Sequence, residues 1–67
     1  METTFTTIFN RLVELAGSQT ELARLTDNTP QNVYHWRTRG VPLNQVDIVE
    51  RALGYRISFH EIRPDKF

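Results

Sequence analysis

Apolar residues recur along this chain with a helical period. Phe5, Ile8, Phe9, Leu12, Leu15 and Ala16 fall at i, i+3, i+4, i+7 spacing, which predicts a helix from Thr4 to Ala16 with one continuous apolar stripe. Leu22, Ala23 and Leu25 form the inward side of a second helix over residues 18–26, opened by Ser18-Gln19-Thr20-Glu21, the spacing of a capping box in which serine and glutamate satisfy each other's free N–H groups. A third helix is predicted over residues 30–39, with Val33 and Trp36 facing in, and a fourth over residues 42–53, apolar at Leu43, Val46, Val49, Ala52 and Leu53. The tail has two patterns. Tyr55, Ile57 and Phe59 alternate with polar residues as a strand would, whereas Ser58-Phe59-His60-Glu61 repeats the capping-box spacing and favours a short helical turn before Pro64.

Glycine and proline punctuate the same elements. Gly17, Gly40 and Gly54 each follow an apolar-periodic stretch, where a left-handed residue ends a helix at little cost only if it is glycine. Thr29-Pro30 is an N-cap followed by a first-turn proline, Pro42 also suits a first turn, and Asp27-Asn28 favours a turn between the second and third helices. The expected fold is therefore all-α. It is a single domain over residues 1–67, a compact bundle of roughly four to five short helices around one core.

Composition narrows the class further. With no cysteine in 67 residues, neither disulfides nor thiolate metal sites hold the chain together, and a reducing cytoplasm is its expected location. No apolar run nears the ~20 residues of a membrane span, and Met1-Glu2-Thr3-Thr4 lacks the basic start of a signal peptide. His35 and His60 stand apart without cysteine or a spaced carboxylate partner, which argues against zinc. No nucleophile elbow or phosphate loop is present, so no catalytic residue, metal or cofactor is expected and the protein is read as a non-enzyme.

The formal net charge is zero, yet residues 28–46 contain no carboxylate and do contain His35, Arg37 and Arg39. A local positive face on a neutral protein follows. At about 100° per residue, burying Val33 and Trp36 turns Gln31, Tyr34, His35 and Thr38 outward, with Asn32 and Arg39 on one flank. That face offers amides, a hydroxyl, a phenol and an imidazole, groups that read donor and acceptor patterns on base edges. A merely solubilising face would more often carry Glu and Lys. Arg37 and Arg39 at the helix end, and Gln19 at the start of the second helix, suit phosphate. With the capping Thr29, these residues form the expected DNA-binding set.

The run Gly17-Ser18-Gln19-Thr20-Glu21-Leu22-Ala23-Arg24, then Val33-Tyr34-His35-Trp36 and Arg39-Gly40-Val41-Pro42, resembles the helix-turn-helix of small bacteriophage Cro-type repressors and the related YdaS-like prophage regulators. The tail from Glu61 to Phe67 is similar to the ending of those proteins. The resemblance implies a lambda repressor-like DNA-binding architecture and a dimeric transcriptional regulator, whose recognition helix lies in the major groove of operator DNA. Three positions depart from the family pattern. Asp27 stands where a turn glycine is usual, Asn28 where a small apolar residue is usual, and Pro30 where a DNA-contacting side chain often lies. Phe59, Ile62 and Phe67 either close the bottom of the core or contribute to a homodimer interface formed at least on DNA. The alternative function is a protein-binding module, such as an antitoxin or anti-repressor, for which an exposed apolar patch around those three residues is the expected mark.

Overall fold

The computed structural model describes residues 4–67; Met1, Glu2 and Thr3, part of the stretch read for targeting signals, lie outside the described residues. Six helical segments follow one another: α1 (Thr4–Ala16), α2 (Gln19–Leu25), α3 (Pro30–Tyr34), α4 (Trp36–Arg39), α5 (Val46–Ala52) and α6 (Phe59–Ile62). There is no strand among the described residues, so the tail adopts the helical of its two patterns. The core joins Phe9 and Leu12 of α1 to Leu22, Ala23, Val33, Trp36, Val41, Val46, Val49, Leu53, Ile57 and Ile62. α1 lies against α2 and α4, and α2 against α3.

Local chemistry sets the boundaries. The Ser18 hydroxyl accepts the Glu21 N–H at 3.1 Å, but the reciprocal half of the capping box is not made, because the Glu21 carboxylate turns to Arg24, 2.6 Å away. Leu25 does not face inward as its spacing suggested and is 39% exposed. Thr26 takes that place, one turn beyond Leu22 and Ala23, and bonds its buried hydroxyl back to the Leu22 carbonyl at 2.7 Å.

Asp27 adopts φ 58° and so fills the glycine position of a Schellman stop. The Asn28 N–H reaches the Ala23 carbonyl at 2.8 Å and the Asp27 N–H reaches Arg24 at 3.3 Å, the bonding pattern of that motif. Thr29 then caps α3 by accepting the Asn32 N–H at 3.1 Å, with Pro30 in the first turn. The helix expected over residues 30–39 is interrupted at His35, whose N–H reaches back three residues to Asn32. His35 keeps right-handed helical dihedrals, so the turn tightens there without reversing.

The fourth predicted helix starts late. Pro42 opens only a single turn, closed by Gln45 N–H to the Pro42 carbonyl at 2.8 Å, and α5 begins at Val46. Leu43 is therefore outside the helix and 51% exposed rather than part of the core. Nor does the capping box at Ser58 form: the side chain that receives the Phe59 N–H is Glu50 of α5, at 3.1 Å.

Candidate nucleic-acid interface

The pair α2 and α3, joined through residues 26–29, has the order and short turn of a helix-turn-helix. Its two halves are tied by Gln19, whose Nε2 donates to the Pro30 carbonyl at 3.0 Å. Gln19, expected to face phosphate, uses one amide hydrogen to fix the start of α3, and the residue is half-buried.

Thr29, Gln31, Asn32, Tyr34, His35, Thr38 and Arg39 are all exposed around α3 and α4, while Val33 and Trp36 are buried beneath them. Arg37 stands apart from this set. It is half-buried, its Nη2 donates to the Tyr34 hydroxyl at 2.8 Å, and its guanidinium lies 4.7 Å from the centre of the Tyr34 ring. Its Nε is buried with no hydrogen-bond partner. Thr38 is also engaged locally, donating its hydroxyl to the His35 carbonyl at 3.3 Å.

Beside this face runs a groove of about 350 Å³ lined by Asn28, Asn32, His35, Trp36, Arg39, Gly40, Pro42, Asn44 and Gln45. Four amides, an imidazole and a guanidinium meet there without a carboxylate. Asn28, the turn residue, donates to the Thr26 carbonyl at 3.0 Å and lies 3.4 Å from Gln45 Oε1. The polar side chain that replaces the usual apolar one thus bridges the turn to the segment before α5. Asn44 and Gln45 were missed as site residues by periodicity, because the helix predicted from Pro42 hid their place on a loop. The carboxylate-free window of residues 28–46 was the signal that contained them.

Two of the acids flanking this window are held by bases, while Asp27, at the turn, is exposed. The hydrogen bond from Arg24 keeps the Glu21 carboxyl below the usual carboxylate range, and Asp47 pairs with Arg51 at 3.0 Å. Among the described residues, no three His, Asp or Glu side chains are grouped to hold a metal ion, and no helix is long and apolar enough to cross a membrane.

The end of α4 is braced from two directions. Thr6 of α1 donates its hydroxyl to the Arg37 carbonyl at 3.0 Å, and the Phe5 ring lies so close to Gly40 that a Cβ there would meet it at 2.9 to 3.1 Å. From the tail, Arg63 donates Nη1 to the Val41 carbonyl at 2.7 Å.

No curated protein and no solved structure matches the chain. Residues 9–67 match the family described as bacterial toxin YdaS, nearly the span over which the helices, groove and tail described above are built, and the chain belongs to that prophage-associated family of small helical proteins.

Proposed function

We propose that this protein is a sequence-specific, double-stranded DNA-binding regulator of transcription, of prophage type and acting in the cytoplasm, which occupies an operator through the major groove and is not an enzyme. The observation that carries the reading is the outer face of α3 and α4. It is exposed, free of acids and aliphatic side chains, and continuous with the amide-lined groove. Gln31, Asn32 and His35 supply the groups for base edges, Arg39 the charge for phosphate. A neutral chain implies weak non-specific affinity that fades as salt rises. A family description as toxin fits without an active site, since a regulator that occupies promoters blocks transcription. Selection of bound duplexes from a random pool at low salt tests the reading. A short, approximately palindromic site is the expected product, and recovery of nothing above background would refute DNA binding.

A second reading concerns protein contact. Leu43, Phe59 and Phe67 are exposed together around a small groove shared with Val46, Asp47 and Glu50, and the Phe59 and Phe67 rings meet edge to face at 5.1 Å. Ile62, expected with them, is fully buried in the core. We assign this patch to a second copy of the chain, because a two-fold pair presents two recognition helices to two half-sites. An antitoxin-like or anti-repressor partner is the competing occupant.

A further inference from the structure

The segment that forms the far wall of the polar groove, residues 41–45, is not held by the helix-turn-helix alone. Its first residue, Val41, is buried, and its carbonyl is gripped by Arg63, 22 residues further on. The other two nitrogens of that guanidinium are engaged as well. Nε and Nη2 donate to the two carboxylate oxygens of Asp65 at 2.9 and 2.8 Å, and the planar group lies 5.0 Å from the centre of the Phe5 ring. Arg63 is only 9% exposed. A buried guanidinium is tolerated when its donors are paired with good geometry, and losing one partner strands the other. Phe5, Gly40, Val41, Arg63 and Asp65 therefore pack as one unit, and that unit sits where the chain leaves α4.

We propose that Arg63 and Asp65 are a positioning pair for nucleic-acid binding: by clamping the Val41 carbonyl they hold Asn44 and Gln45 opposite Asn32 and Arg39, and so set the shape of the groove. This rests on the DNA reading above. Neither residue touches the groove, so the pair acts through the loop.

The test is titration of the selected duplex and a scrambled one with wild type, Asp65→Asn and Arg63→Lys, alongside amide-resolved NMR spectra and thermal melts of each free protein. Asp65→Asn removes the charge and keeps the shape. Arg63→Lys keeps one donor for Val41 but cannot hold both oxygens of Asp65. Both variants should remain folded, with amide shifts concentrated at residues 41–45 and 63–67. Affinity for the selected duplex should fall by about three- to tenfold while the scrambled duplex is barely affected, a size usual for residues acting through a neighbour. The proposal is overturned if residues 41–45 do not shift, or if they shift while discrimination stays at the wild-type value. An equal loss on both duplexes that tracks the unfolded fraction would also overturn it, leaving the pair a stabilising contact only. Failure of the wild type itself to prefer any duplex would refute the DNA reading; a loss confined to the variants bears on the clamp alone.

Discussion

Arg37 is bound to Tyr34 twice over, through a 2.8 Å hydrogen bond to the phenol and through its guanidinium stacked over the ring. Of the two, only Tyr34 lies on the exposed face assigned to DNA; the contact ties down the half-buried Arg37 and so competes with phosphate for the cation. Tyr34→Phe keeps the ring and removes the hydroxyl. It should loosen Arg37, leaving only the ring contact, and steepen the salt dependence of duplex binding by up to about 0.9 in log–log slope, the increment of one added phosphate contact. An unchanged slope would mean that Arg37 serves the fold only.

Gln31 and Arg39 should fail in different ways. Gln31→Ala is expected to cost about 1–3 kcal/mol at the selected site and to relax base preference there. Arg39→Ala should weaken selected and scrambled duplexes alike and flatten the salt slope. Wild-type behaviour from both variants would place the docking face elsewhere.

Sedimentation across a concentration series measures the proposed dimer. Phe67, 52% exposed, can be changed to Ser with little effect on the core, since most surface substitutions stay within about ±0.5 kcal/mol. Phe67→Ser should weaken self-association and the cooperative occupation of two half-sites together. A wild-type chain that stays monomeric even on its selected duplex would rule out the second-copy assignment.

Gly40 and Gly17 separate crowding from backbone strain. Both have positive φ, 81° and 106°, but an added Cβ meets the Phe5 ring at Gly40 and nothing within 4 Å at Gly17. Gly17→Ala should cost about 1 kcal/mol in urea denaturation, from the backbone conformation alone. Gly40→Ala should cost more, and Phe5→Leu in the same chain should recover part of the difference. Equal losses at the two glycines would show that Phe5 yields freely.

Acid should loosen the tail clamp. The hydrogen bonds from Arg63 hold the Asp65 carboxyl below its ordinary value of 3.8, while in the unfolded chain it titrates normally. A carboxylate depressed on folding stabilises the native state above its unfolded pKa, and that contribution disappears as pH falls through the folded value. The stability difference between wild type and Asp65→Asn should therefore be full near neutrality and shrink from about pH 5 downward. A constant difference across that range would remove the charge pair as its cause.

The helices were legible because their signals are local. Serine, threonine, glycine and proline act on the backbone groups beside them, so Ser18, Thr29, Pro30, Gly17, Gly40 and Gly54 mark boundaries whatever the distant chain does. Even the departure at Asp27 was readable, since a short polar side chain tolerates the left-handed conformation that a Schellman stop requires. The exposed face of α3 and α4 followed in turn from the burial of Val33 and Trp36.

Whatever depended on partners far along the chain was not legible. The capture of the Phe59 N–H by Glu50 reflects competition between a local pattern and a neighbour brought close by folding. The same holds for Gln19 on Pro30 and for Asn28 with Gln45. Taken alone, the sequence determined an all-helical chain with an acid-free outer face on its third helical stretch, because periodicity and capping act over a few residues. Only the tertiary structure decided that Asn44 and Gln45 wall a groove beside that face and that Arg63 reaches back to Val41, because a hydrogen bond is won by whichever donor packing brings within about 3 Å, and spacing along the chain does not specify which one that is.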